Sequence, residues 1–381
     1  MFTEPPALEV ASDATESVTP ELLALTPREL SLIAAGPPKA DAPTAVSHSR
    51  GAALWGWLRD QGPTPTLPAT LTGCGRDAIG RIRLATTLPR FTVEETHLSA
   101  DGTTKWRLQV GGSGGEAART IETVLIPTPT RATVCISTQS GCTRFCDFCA
   151  TARMGYLGAV SAGDMVGQVL LAMRHCTVPL TNVVMMGMGE PLDNLEAVLT
   201  AIRVLDEGLR ISPGHVTVST SGIVPKMDRL WKESRASLAL SLHATTQELR
   251  DRLMPRVKRW PLTELTAWMR EATAHDPRHV FIEYTLLDGV NDGDDDADRL
   301  ADLLVDIRCR INLIPFNPTP QIDYRRPPRE RVVAFRNRLL QKGYVCIIRE
   351  TRGDDQAAAC GQLSARPSAQ VAAEAAGSVS S

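Results

Sequence analysis

Residues 132–149 read ATVCISTQSGCTRFCDFC. An apolar, β-branched run gives way to a polar turn with Gly141, and then Cys142, Cys146 and Cys149 fall within eight residues. That order puts three thiols in a loop directly after a strand. Downstream, buried-type strands alternate with helical stretches. The apolar runs predict strands over 133–137, 182–186, 215–219, 237–242, 280–287, 310–314 and 344–348. Residues 163–174 carry Met165, Val166, Val169, Leu170 and Met173 on one helical face, and residues 295–307 carry Leu300, Leu303, Leu304 and Ile307. Repeated βα units argue for parallel strands with helices outside. Six or seven such units predict an α/β fold, a partial (β/α)6 barrel whose site lies at the C-terminal ends of its strands.

Outward from this core the composition changes. Residues 1–48 are rich in Ala, Pro, Ser and Thr, with seven acids against two bases. Within them only 21–34 has a helical pattern, with Thr26 as N-cap and Pro27 at the first helical position. Trp55, Trp57 and Leu58 lie at helical spacing, so residues 1–85 read as an acidic, Pro-rich leader and a small helical accessory domain. Short β runs at 91–93, 105–110 and 120–126 make residues 86–127 a β extension. The barrel then occupies 128–365, and 366–381 form a flexible Ala/Ser-rich tail.

The net charge of −2 excludes a generally basic nucleic-acid coat, so any nucleic-acid site must be a local patch. No run approaches eighteen apolar residues, and residues 1–18 lack a basic, then apolar, leader. Neither a membrane span nor a secretory signal is expected. Nine cysteines in a long chain fit a disulfide scaffold poorly, which favours a reducing cytoplasm and a metal or redox role.

A structural zinc site wants four protein ligands, and the nearest fourth cysteine, Cys135, lies inside a strand. Three thiolates on a short loop instead suit a four-iron cluster with one iron open to another ligand. Phe148 would shield that cluster from water. C-x3-C-x2-C with an aromatic before the last cysteine resembles the radical S-adenosylmethionine (SAM) enzymes. The resemblance implies a [4Fe–4S] cluster on Cys142, Cys146 and Cys149, with SAM chelated to the open iron. Residues 182–194, NVVMMGMGEPLDN, match the segment that holds the SAM amino group, here Gly189 and Glu190. Ser219, then Ser241-Leu242-His243, then Asn317 each follow a strand and complete the expected cofactor contacts.

The match narrows at residues 345–363, with Arg349, Thr351-Arg352-Gly353-Asp354-Asp355 and Ala359-Cys360-Gly361-Gln362-Leu363. With 185–194 and 313–318 these closely resemble the RlmN/Cfr family of RNA adenosine methyltransferases, over roughly residues 86–365. The resemblance implies that Cys360 and Cys135 are catalytic and that Glu122, expected in a half-exposed strand, accepts a proton. It implies two uses of SAM: one methylates Cys360, and a second yields a radical that takes hydrogen from the S-methyl group. The carbon radical adds to adenine, at C2 rather than C8, and attack of Cys135 on the Cys360 sulfur releases the product and a transient disulfide. Cys74, Cys176, Cys309 and Cys346 are bystanders. The implied partners are rRNA, possibly tRNA, and an electron donor such as flavodoxin or ferredoxin.

Two basic stretches can meet RNA. Residues 249–260 hold Arg250, Arg252, Arg256, Lys258 and Arg259 against Asp251, and 324–352 hold nine basic residues against two acids. Trp260 and Tyr324 are the expected stacking platforms. Two segments depart from the family pattern. Residues 155–160 lack its basic element, and 49–54 replace a basic stretch of the N-terminal helical domain that the resemblance implies binds RNA, which marks a divergent paralogue. Two rival readings remain, a radical SAM enzyme of this fold with another substrate and a catalytically silent RNA-binding paralogue.

Overall fold

The computed structural model of the chain describes residues 19–36, 48–111, 117–320 and 322–364. Most of the expected leader and the expected tail lie outside them. The first described helices follow the sequence closely. A 3-10 turn (Leu22–Ala24) precedes helix α1 (Pro27–Ala35). The Thr26 hydroxyl accepts from the Glu29 amide at 3.3 Å while Glu29 accepts from the Thr26 amide at 2.7 Å, a reciprocal cap with Pro27 at the first helical position. Helices α2 (Ser49–Gln61) and α3 (Arg76–Ala85) bury Leu54, Trp55, Leu58, Ile79 and Ile82. These side chains belong to the same continuous apolar core as the barrel.

Strands β1 (Phe91–Leu98), β2 (Thr104–Gly111) and β3 (Ala118–Pro127) form an antiparallel ladder. It is no separate layer: β3 pairs antiparallel with β4 (Ala132–Cys135), Val124 lying opposite Cys135, and so continues into the main sheet. After β4 a small hairpin, β5 (Gln139–Gly141) and β6 (Tyr156–Ala159), brackets the cysteine loop. The βα series then runs α4 (Ala162–His175), β7 (Leu180–Met185), α5 (Leu195–Glu207), β8 (Val216–Thr220), α6 (Val224–Glu233) and β9 (Ser237–Ser241). It continues through α7 (Gln247–Leu253), α8 (Leu262–Ala274), β10 (Val280–Leu286), α9 (Asp294–Leu303), β11 (Cys309–Pro315), α10 (Arg329–Gln341) and β12 (Cys346–Ile348).

Strands β4, β7, β8, β9, β10 and β11 are parallel in that order, and the short β12 adds a seventh at the edge. With β1 at one margin and β12 at the other, the sheet is an open, partial barrel. Alternation sorts its side chains. Val218, Leu240, Ile282 and Tyr284 are fully buried, while Ser219, Ser241, Glu283 and Thr285, in the intervening positions, line an internal cleft. Helix α9 stops at Leu303 rather than running to Ile307, because Leu304 and Val305 close back on the last turn and Asp306 takes a left-handed conformation. No helix among the described residues is long and apolar enough to cross a membrane.

Candidate active site

The cysteine loop is held at the strand ends by short-range geometry. Gly141 has φ +70°, and a Cβ there would lie 1.8 Å from the Gly155 carbonyl, so only glycine permits the Cys142 amide to reach that carbonyl at 2.8 Å. Thr143 donates to Asp193 at 2.6 Å, and Arg144 and Lys226 pair with the same carboxylate. Against the effect of burial, these partners hold the Asp193 carboxyl below its usual range. The Asp147 amide donates to the Leu253 carbonyl at 2.9 Å, and Phe148 packs among Ala244, Leu253, Met254, Val257, Leu287 and Phe316. The aromatic before the last cysteine is thus an apolar wall of the cleft.

Cys142, Cys146 and Cys149 line one cleft of about 950 Å³, counted out to its open mouth. Gly189, Glu190, Ser219, Ser241, His243, Asn317 and Cys360 line the same cleft. Burial, then the nearby cysteines, pushes the Cys146 thiol well up; burial pushes Cys142 up to about 12, although the Arg144 amide at 3.4 Å opposes it. Such thiols stay protonated until a metal displaces the proton. Among the described residues no three His, Cys, Asp or Glu side chains converge on a single-ion position. A zinc ion would need that convergence; three thiolates on three irons of one cluster do not. The donor set, three thiols on the wall of a cleft with room beside them, fits the cluster.

The Gly189–Glu190 turn sits against the cysteine hairpin. Gly189 has φ +104°, and a Cβ on it would lie 2.5 Å from Gln139. Glu190 is 3% exposed, and burial raises its pKa. Its carboxylate accepts from Leu192 N at 3.1 Å and Ser221 N at 2.8 Å, and its own amide donates to Gln139 Oε1 at 3.0 Å. The Ser219 and Ser241 hydroxyls lie 3.4 Å apart across the cleft wall. His243 Nδ1 accepts from the Thr285 amide at 3.0 Å, so the ring proton sits on Nε2. Burial, then Arg250, lowers its pKa to about 3, and the imidazole is neutral at physiological pH.

Two expected cofactor contacts and the expected proton acceptor are engaged differently from the sequence reading. Leu242 is fully buried outside the cleft, and its carbonyl accepts from Arg250. Asn317 spends its amide on the protein: Nδ2 donates to the Cys360 carbonyl at 3.0 Å, and Oδ1 accepts from Arg326 and Thr351. Glu122 is 2% exposed rather than half-exposed. It pairs with Lys105 at 3.1 Å and accepts from the Ser364 amide at 2.9 Å, close to the Cys360 loop.

The Cys360 loop is tied on several sides. Ala150 N donates to Gly361 O at 2.8 Å, Thr151 Oγ1 to Leu363 O at 2.6 Å, and Lys105 Nζ to Ala357 O at 3.2 Å. Cys360 itself is exposed at the cleft, whereas Cys135 is buried. Burial, then the charge of Cys360, pushes the Cys135 thiol up while the Met186 backbone and Arg349 oppose. Cys360 is crowded enough for burial to raise its thiol too, against the pull of Arg349. The two sulfurs therefore sit within electrostatic reach of each other and share Arg349. Cys74, Cys176, Cys309 and Cys346 stand outside the cleft, and all nine thiols are free.

Sequence reading missed Glu283. It lies in register with Ser241 on β9 and Asn312 on β11, is 3% exposed, lines the cleft and accepts from Asn312 Nδ2 at 2.7 Å. A lone acid in an apolar strand was the available signal. The basic stretches also sort themselves. Arg250 is 1% exposed and cannot meet a phosphate, but Arg252, Arg256, Lys258 and Arg259 are exposed beside Met254 of the cleft. On α10 and at its C-cap, by contrast, Arg331, Arg338 and Lys342 pair with Asp294 and Asp298 of α9. Trp260 is packed on the core, and Tyr324 donates to Asp147 at 2.9 Å, so neither ring is a free platform.

Comparison with known proteins bears on this arrangement. Residues 136–303 match the Radical SAM superfamily. The chain is 45% identical over 288 residues to the Dual-specificity RNA methyltransferase RlmN of Marinobacter nauticus, covering 73% of this chain and 76% of that protein. It also resembles the crystal structure of a radical SAM methyltransferase from Sphaerobacter thermophilus, with a TM-score of 0.80 and 38% identity over 91% of this chain and 100% of that one. Membership of the superfamily brings SAM and a [4Fe–4S] cluster as cofactors. By its sequence, its α/β fold and these relatives, the chain belongs to the RlmN/Cfr family of radical SAM methyltransferases and is a SAM-dependent methyltransferase.

Proposed function

We propose that this methyltransferase acts on RNA, methylating an adenine ring carbon, C2, through an S-methylcysteine at Cys360. RNA as substrate is supported by the 45% identical relative, a dual-specificity RNA methyltransferase. The observation that carries the mechanism is the pair of thiols, Cys360 exposed on the cleft of the three loop cysteines and Cys135 buried within its electrostatic reach.

When bound, the cluster on Cys142, Cys146 and Cys149 and SAM supply a methyl group and a hydrogen-abstracting radical. Glu190 and the Ser219–Ser241 wall orient the cofactor's polar groups, and neutral His243 offers Nε2–H as a donor. Cys360 gives up its thiol proton and takes the methyl group on sulfur. After loss of one hydrogen, the S-methyl carbon bonds to adenine, joining protein and RNA. A carboxylate takes the ring proton. Cys135, on losing its thiol proton, then attacks the Cys360 sulfur; the carbon–sulfur bond breaks, the released carbon takes up a proton, the surplus electron of the radical returns to the redox cofactor, and methylated RNA leaves behind a Cys135–Cys360 disulfide. The exposed cations Arg252, Arg256, Lys258 and Arg259 are assigned to RNA phosphates. Outside the chain, a flavodoxin- or ferredoxin-type donor and a cytoplasmic setting complete the reading.

Anaerobic reconstitution of the wild type is expected to give four irons per chain, and Ala at Cys142, Cys146 or Cys149 to abolish both iron uptake and SAM cleavage. Cys135→Ala should accumulate a covalent protein–RNA adduct on denaturing gels; turnover by this variant without an adduct would refute the two-thiol route. The proton acceptor assigned by family resemblance is Glu122, while Glu283 is the acid that lines the cleft. An adduct that builds up in Glu122→Gln with Cys135 intact supports the first, and one in Glu283→Gln the second. Replacing Arg252, Lys258 and Arg259 by Ala should weaken RNA binding and flatten its salt dependence, by roughly 0.7 in log–log slope for each lost single-strand phosphate contact. Nucleoside mass spectrometry of RNA from cells lacking the gene should show loss of 2-methyladenosine.

A further inference from the structure

Arg250 is one of the largest fully buried side chains in the protein, at 1% exposure. Its guanidinium sits between three segments of the cleft mouth. Nη2 donates to the Ser221 carbonyl after β8 at 2.5 Å. Nη1 donates to the Ser241 carbonyl at 3.0 Å, the Leu242 carbonyl at 2.7 Å and Met254 Sδ at 3.4 Å. Leu253, three residues on, accepts the Asp147 amide of the cysteine loop. Nε is buried with no partner.

A buried guanidinium is costly unless an anion faces it, and Arg is almost never fully buried unpaired. Among the described residues no carboxylate lies within ion-pair distance of Arg250. The charged groups that act on it are Cys146 and then the adjacent Asp251. Burial brings its pKa down only to about 10, so it remains a cation at neutral pH. The fold therefore holds a fixed positive charge in a dry position at the cleft mouth, within electrostatic reach of one of the three loop thiols, with its mate missing from the polypeptide.

We propose that Arg250 is the built-in counter-charge of the iron–sulfur cluster, a positioning residue that ties the Ser221 and Ser241 turns together and biases the cluster toward its reduced state. The inference rests on the reading of Cys142, Cys146 and Cys149 as cluster ligands. Three thiolates and a [4Fe–4S] core carry net negative charge, and one-electron reduction adds to it. A nearby cation in a low-dielectric site stabilises the more negative state.

The test is an EPR-monitored redox titration of reconstituted wild type, Arg250→Lys, Arg250→Gln and Arg250→Met, with iron content measured for each. Removing the charge should lower the midpoint potential, with a reduced-to-oxidised ratio at fixed potential about tenfold smaller, or about 59 mV. Arg250→Lys should stay near wild type although it loses the planar fork, because charge and not hydrogen-bond count sets the order. A potential unchanged in Arg250→Met or Arg250→Gln at full iron loading overturns the proposal. If both neutral variants fail to load iron while Arg250→Lys loads it, the charge requirement is supported; if Arg250→Lys fails as well, the side chain serves geometry alone and the proposal falls. Absence of iron uptake by the wild type would instead refute the cluster assignment beneath it.

Discussion

The Glu190 carboxylate is the knot of the cleft. Buried at 3% exposure, it takes the Ser221 amide with one oxygen and the Leu192 amide with the other, while its own amide reaches back to Gln139. Three segments far apart in sequence, the cysteine hairpin, the turn after β7 and the turn after β8, are thereby fixed against each other. Arg250 closes the circuit from the opposite side, joining Ser221 to Ser241 and Leu242. Only a parallel sheet brings these carbonyls and amides to one rim, since each strand ends there with its polar groups unspent.

Much of this architecture was legible in residue order. Seven apolar runs became parallel strands, Thr26 and Pro27 started α1, and the loop after β4 carried the three cysteines to the cleft. What failed were statements about exposure. Arg250 reads as one of a basic cluster, yet a helix of seven residues presents successive side chains to opposite environments, and this one faces inward. The basic run on α10 likewise looks like a nucleic-acid face until α9 lays Asp294 and Asp298 beside it. Spacing along one segment cannot show which partner a distant segment brings. Glu283 escaped for the same reason: its neighbours Ser241 and Asn312 are adjacent only through strand register.

The antiparallel ladder and the N-terminal helices have a supporting part in this geometry. Glu122 on β3 and Lys105 on β2 form a buried pair that also reaches Ser364 and Ala357, either side of Cys360. The extension that precedes the barrel thus grips the last loop that follows it. Glu21 caps the start of α4 through Ser161 and Gly163, and Trp55 donates to Leu25 in the shared core. The β extension and the last described loop are mutually dependent, so removing the extension would loosen the loop bearing Cys360.

The two thiols proposed for catalysis differ in one respect that spacing alone would not disclose: one is exposed and the other is shut inside the sheet. A strand cannot advance toward the cleft without breaking its ladder, so any approach of the sulfurs must come from the loop. Oxidants and alkylating agents in bulk water meet Cys360 first and find Cys135 sheltered and protonated. Unequal shelter thus makes two free thiols of one chain unequally open to reagents from bulk water.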